Sequence, residues 1–158
     1  MSRESRIQNQ ITDIENAACS TDEKLIRILQ LGCEQFGLML GLISKVEDDA
    51  YIVIAAYPDG LLNVGDRFDL NETICDVTMR DQKLVSFSKA SGTDWVTHPA
   101  YEKFSIEAYI GLSYELENGN VGTLNFSSPT ALSSDFSDED KQIMKRLSDA
   151  VIAILATE

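Results

Sequence analysis

The sequence predicts an α+β domain: an antiparallel sheet in the middle of the chain with helices gathered against it. The hydrophobic period is helical near both ends and changes to two residues in between. The alternating stretches come in pairs joined by short turns, which is how antiparallel strands are connected. They do not alternate with helices in the way that builds a doubly wound parallel sheet. At 158 residues, 44% apolar and 25% charged, the chain is about one domain. It is long enough to bury a real core without metals or disulfides.

Each element follows from its residues. Across residues 2–18, Ile7, Ile11, Ile14 and Ala18 step by four and three along a polar stretch, one narrow seam on a helix. Ser20-Thr21-Asp22-Glu23 starts a second helix, since hydroxyl oxygens accept orphan backbone N–H groups and acids suit the positive end. Leu25, Ile28, Leu29 and Phe36 keep helical spacing up to Gly37, a terminator. Residues 38–46 and 51–57 read as a hairpin around Glu47-Asp48-Asp49, ended by Pro58-Asp59-Gly60. Residues 65–70 fit a short strand. Asn71-Glu72-Thr73 caps a short helix carrying Ile74, Cys75, Val77 and Met79. Residues 84–87 form a strand and residues 88–97 a polar loop, and His98-Pro99-Ala100-Tyr101 opens another short helix. Residues 108–116 and 121–126 flank Glu117-Asn118-Gly119-Asn120, the clearest hairpin turn in the chain. Asp135-Phe136-Ser137-Asp138-Glu139-Asp140 starts a long last helix whose apolar face is Ile143, Met144, Leu147, Val151, Ile154 and Leu155. The narrow seams of the first and last helices fit either a homodimeric helical bundle or ordinary core, and the expectation taken forward is a homodimer through the terminal helices.

Charge excludes several functions. Thirteen Lys and Arg against 26 Asp and Glu leave a net charge of −13. Such a surface repels phosphate backbones and anionic lipid, so neither nucleic acid nor a membrane is an expected partner. Cys19, Cys33 and Cys75 are odd in number and form no CxxC pair, a pattern of reduced thiols in the cytoplasm. The opening residues lack the apolar run of a signal peptide, and an uncharged apolar stretch such as residues 38–44 is far too short to span a bilayer. His98, the single histidine, rules out multi-histidine metal sites. A Cys75–His98 nucleophile pair is conceivable but has no local support. Phosphate-loop, dinucleotide and nucleophile-elbow motifs do not occur.

Ala108-Tyr109-Ile110-Gly111-Leu112, then Asn118-Gly119-Asn120-Val121-Gly122-Thr123-Leu124-Asn125-Phe126, then the cap at Phe136 to Asp140 resemble a GAF domain. The stretch from Gly65 through Val85 resembles the strand, short helix and strand of that family, and the likeness spans about residues 20–156. It implies a central antiparallel sheet of about six strands, with the N- and C-terminal helices on one face. The other face, walled by short helices, would hold a ligand pocket. The domains expected are a signalling or dimerisation helix over 1–19 and the GAF domain over 20–158. Cys75, Phe87, Asp94, Trp95, Thr97, His98, Tyr101, Phe104 and Tyr109 are the ligand-binding candidates.

The ligand itself stays unknown, but subtypes can be tested. Bilin-binding members resemble one another in a Cys-His-x-x-Tyr run. Here His98 and Tyr101 match, and Thr97 stands where the attacking thiol belongs, so no covalent bilin is expected. Cyclic-nucleotide members resemble one another in a split motif that Asn125, Phe136 and Asp140 fit, while Phe126 replaces its Lys, which loses the Lys–Asp pair, and Lys141 replaces its final Glu, so a cyclic nucleotide is not expected. The enzymatic member, free methionine-R-sulfoxide reductase, needs a resolving thiol, and Cys75 has no partner near the residue-108 strand. No metal ligands or catalytic residues are assigned. The resemblance therefore implies a non-enzymatic cytoplasmic sensor of signal transduction, of the two-component kind. It would bind a small molecule and pass the signal through its terminal helices to an output domain or partner. A thiol-based reductase and a ligand-free dimerisation module are the alternatives.

Overall fold

The computed structural model describes residues 2–81 and 84–157. Met1, Gln82, Lys83 and Glu158, which the expected domain ranges include, lie outside the described residues. The chain runs α1 (Arg3–Glu15), α2 (Thr21–Phe36), β1 (Leu40–Glu47), β2 (Ala50–Tyr57), β3 (Arg67–Asp69), α3 (Cys75–Asp81), β4 (Val85–Phe87), α4 (Pro99–Phe104), β5 (Ala108–Glu115), β6 (Val121–Ser128) and α5 (Asp138–Leu155). Two single 3₁₀ turns, Leu70–Glu72 and Asp94–Thr97, precede α3 and α4. The six strands form one antiparallel sheet in the order β3-β2-β1-β6-β5-β4.

Local chemistry sets the boundaries. Ser20 Oγ accepts from Glu23 N at 3.2 Å and starts α2, and Gly37, at φ 68°, ends it in the left-handed region that glycine occupies without strain. Ser137 and Asp140 form a reciprocal capping box on α5. The β1–β2 hairpin closes through Asp48 and Asp49, both at positive φ (50° and 63°), so the link is two residues long and follows the twist of the strands.

The sheet separates two cores. On one face lie α2 and α5, with Ile28, Leu29, Ile143, Met144 and Leu147 fully buried against Ile43, Ile110, Leu124 and Phe126. Phe126 reaches the helices because Gly32 of α2 and Gly41 of β1 leave room for its ring; a Cβ at Gly32 would overlap that ring. The other face is covered by short pieces: Leu70, Ile74, Cys75, Ala90 and Ala100 pack on Leu42, Val53, Val85 and Tyr109.

The α1 helix lies across α2 and α5. Of its seam, Ile7 and Ile11 are 2% and 1% exposed. Two isoleucines thus fill the groove between α2 and α5 in the same chain, the intramolecular one of the two alternatives. The helix ends at Glu15, short of Ala18, which is exposed. Arg3 ties it down, with Nη1 3.1 Å from Glu139 and 2.9 Å from Asp140 and Nη2 donating to Gln35 O at 3.1 Å. Arg146 does the same from α5, donating to Gln8 at 2.9 Å. Among the described residues no helix is long and apolar enough to cross a membrane.

The glycine hole makes a sharp prediction. Gly32→Ala forces its methyl into the Phe126 ring and should cost about 1–3 kcal/mol of stability, read as a lower urea midpoint with unchanged slope. An unchanged midpoint would mean that α2 does not sit this close to the sheet.

Candidate functional site

The face opposite the terminal helices holds a cavity of about 290 Å³. It forms where β1, β2, β3, β5 and β6 are faced by short pieces, α3, α4 and the segments carrying Leu61, Leu62, Ile74, Ile106 and Pro129, which are too short to tile the sheet. Leu40, Leu42, Leu62, Phe68, Ile74 and Phe104 are its apolar walls. Its mouth is rimmed by Met39 and Leu61, which are 51% and 52% exposed.

The floor is polar, and its groups hold one another. Asn125 of β6 donates from Nδ2 to Tyr51 Oη at 3.0 Å, with Cys75 Sγ at 3.3 Å and Thr123 Oγ1 at 3.4 Å. Thr123 Oγ1 donates to Cys75 Sγ at 3.3 Å and lies 2.9 Å from Ser44 Oγ. Tyr109 Oη stands 3.4 Å from Cys75 Sγ and 3.1 Å from Thr78 Oγ1. Tyr109 can lie flat along β5 because Gly111, two residues on, has no side chain to meet it. No buried side-chain nitrogen or oxygen among the described residues lacks a partner, as a network enclosed in low dielectric requires.

Burial dominates the electrostatics. It pushes the Cys75 thiol up, and the hydrogen bonds from Thr123, Tyr109 and Tyr51 only partly oppose it. Tyr51 and Tyr109 are held well above the ordinary phenol range by burial, then by the neighbouring sulfur. The floor is therefore uncharged at neutral pH, and Cys75 is a thiol rather than a thiolate, a poor nucleophile.

Of the residues expected from sequence, Cys75, Phe104 and Tyr109 line this cavity. Phe87, Asp94, Trp95, Thr97 and His98 line a separate, open groove beside β4 and the start of α5. Tyr101 lines neither; its hydroxyl lies 3.3 Å from Ser91 Oγ. The two places are joined by a stack in which Phe87 lies 5.8 Å from Tyr109 and 4.6 Å from Trp95. Cys75 and His98 do not pair: the sulfur sits in the floor network, while His98 Nδ1 accepts from Ala100 N at 3.0 Å and caps α4. Leu42, Tyr51, Phe68 and Asn125 were missed as cavity residues. The strand period contained the clue: Leu124 and Phe126 face the helices, so Thr123, Asn125 and Ser127 had to face the other way.

No protein-family model and no curated protein sequence matches the chain. Solved structures do. The GAF domain of a phosphoenolpyruvate-protein phosphotransferase from Acinetobacter superposes with a TM-score of 0.79 at 15% identity, over 99% of this chain and 95% of that one. The phycocyanobilin-bound GAF domain of a cyanobacterial phytochrome gives 0.74 at 12% identity, over 99% and 96%. The reduced form of fRMsr from Staphylococcus aureus gives 0.72 at 12% identity, over 98% and 96%. The chain has a GAF fold.

Within this GAF fold, Thr97 donates to Asp94 O at 2.7 Å in the outer groove, so the position matched to the bilin-attaching thiol holds a hydroxyl outside the cavity. Asn125, Phe136 and Asp140 do not converge either. Asn125 faces the cavity, Phe136 lies in the helical core, and Asp140 caps α5. Cys75 and Cys33 are on opposite faces of the sheet.

The buried thiols predict an alkaline limit to stability. Cys33 is pushed up to about 12 by burial and then by Glu34, and Cys75 is also raised. Both keep their protons when folded, while an unfolded thiol loses its proton near pH 8.5. Their contribution is full below that pH and is lost as pH rises through the folded values. Urea midpoints should fall above about pH 8.5, and Cys33→Ala should flatten that fall. An equally steep fall in the variant would remove Cys33 from the explanation.

Proposed function

We propose that this domain is a sensor: a small molecule occupies the cavity, and the helices on the opposite face of the sheet read its presence for an output domain or partner in signal transduction. The observation that carries this is the cavity's position against β6. Asn125 lines its floor, and the next residue, Phe126, fills the glycine hole under α2. A ligand that shifts β6 therefore acts directly on the seat of α2 and its neighbour α5, provided it binds the two arrangements with different affinity. The GAF folds of a phosphotransferase and a phytochrome support this reading by analogy of fold.

The protein acts in the cytoplasm as a homodimer. Because the apolar seams of the terminal helices are occupied within the chain, the dimer uses their outer faces, where Asn9, Asp13, Lys145 and Asp149 are exposed. A dimer assembled through such polar faces is weak and salt-sensitive. No catalysis is assigned. The reductase alternative, which the likeness to fRMsr keeps in view, needs a thiolate and a second thiol within reach, and Cys75 meets neither need.

Native mass spectrometry tests the reading. The purified protein should carry a reproducible extra mass that is lost on denaturation, and Leu42→Trp, which fills the cavity from β1, should abolish it while leaving the far-UV circular dichroism unchanged. On release of the ligand, amide exchange in α2 and α5 should change. An adduct that survives Leu42→Trp would place the ligand elsewhere. Methionine sulfoxide turnover that disappears in Cys75→Ser would put an enzyme in place of the sensor.

A further inference from the structure

The chemistry of the lining limits what the cavity can hold. No Asp, Glu, Lys, Arg or His is among the described residues that line it. Lys103 Nζ, 5.9 and 5.7 Å from the Phe68 and Phe104 rings that wall it, is paired with Glu72 Oε2 at 2.6 Å on the exposed side. The tyrosines and the thiol of the floor stay protonated. An ion placed here would be stripped of water with no counter-charge, which folded proteins avoid. This is an uncharged site in a protein of net charge −13.

One polar group of the floor has capacity to spare. Asn125 is 3% exposed, and its amide nitrogen is committed to Tyr51, Cys75 and Thr123. No described residue donates to its carbonyl oxygen. Because no fully enclosed side-chain oxygen among the described residues lacks a partner, this oxygen keeps access to the cavity that the residue lines. It is an acceptor waiting for a donor. At the roughly 30 Å³ that a water molecule takes in the liquid, the cavity has room for about ten non-hydrogen atoms.

We propose that the occupant is an electrically neutral, chiefly apolar molecule of about ten non-hydrogen atoms with one N–H or O–H group that donates to Asn125 Oδ1, entering across the apolar rim of Met39 and Leu61. The proposal rests on the sensory reading only in needing an occupant for the cavity. It excludes carboxylates, phosphates and ammonium compounds as ligands, whatever their shape.

Four probes of one size and shape separate the possibilities by titration calorimetry on the full chain at pH 7: benzamide, benzoate, benzamidinium and acetophenone. Benzamide should bind, benzoate and benzamidinium at least about a hundredfold more weakly, and acetophenone, which lacks the donor, about tenfold more weakly than benzamide. In Asn125→Leu benzamide should lose that tenfold advantage over acetophenone. Leu62→Trp, which narrows the cavity without touching the polar floor, should weaken both neutral probes and keeps the test open if Asn125→Leu fails to fold. Preference for either charged probe would overturn the neutral-ligand proposal and leave the sensor standing. Equal binding of benzamide and acetophenone to the unaltered chain would remove the donor to Asn125. Failure of all four probes would overturn the proposal, and joined to an absent native adduct it would take the sensory reading with it.

Discussion

Phe126 projects from the middle of the sheet into a space that exists only because residues 32 and 41 are glycines. Much else depends on that contact. It sets how closely α2 approaches the sheet, and Phe36 of α2 then meets the Phe126 ring edge-on at 5.4 Å, with Phe136 edge-on to Phe36 at 6.2 Å. It also fixes the parity of β6. With Leu124 and Phe126 committed to the helices, Thr123, Asn125 and Ser127 are obliged to face the other way. That face is covered too, by α3, α4 and their flanking turns, and Thr123, Asn125 and Ser127 are buried beneath them, so polar side chains there need partners within the protein.

Thr123 and Asn125 find them in each other and in residues from four other elements, so hydrogen bonds cross-link the cavity floor. Ser44, Tyr51, Cys75 and Tyr109 come from β1, β2, α3 and β5, and each bond joins segments distant in sequence. A network of this kind specifies one arrangement of the sheet as strongly as an apolar core does, provided no member is left unpaired. The front has no comparable device. Its helices are six and seven residues long, too short to be stable alone, and the loop 58–66 leaves Leu61 and Val64 exposed. Strength behind and looseness in front suit a site that admits a molecule without letting the sheet collapse onto it.

The parts of the fold that were legible in the sequence are those fixed by neighbouring residues. Ser20, Gly37, Asn118-Gly119 and the Ser137–Asp140 box each satisfy backbone groups within a few positions, so their meaning survives without the rest of the molecule. The six-strand sheet with the long helices on one face also emerged, once the resemblance to a known domain implied the strand count and the side the helices take. What stayed hidden depends on distant partners. Ile7 and Ile11 look like a free seam until α2 and α5 are seen to bury them. Tyr51 and Asn125 look like an ordinary strand tyrosine and a motif residue until their 3.0 Å bond puts both on one floor.

The same distinction explains why a run of suggestive residues fell outside the cavity. Thr93, Thr97 and His98 use their side chains to bond the backbone two or three residues away, Thr93 to Trp95 N, Thr97 to Asp94 O and His98 to Ala100 N. Such bonds shape a loop in water, where the net worth of each is modest and the alternative partner is solvent. Polar groups committed in that way have little left with which to hold a ligand. Asn125 is the opposite case, a long-range residue with its nitrogen fully used on partners from other elements and its oxygen left for the cavity, where low dielectric makes a single hydrogen bond count for more. Trp95 belongs to both settings. Its ring borders the groove while its stack through Phe87 runs back to the Tyr109 wall, so the loop touches the site through aromatic packing rather than through the polar residues that drew attention to it.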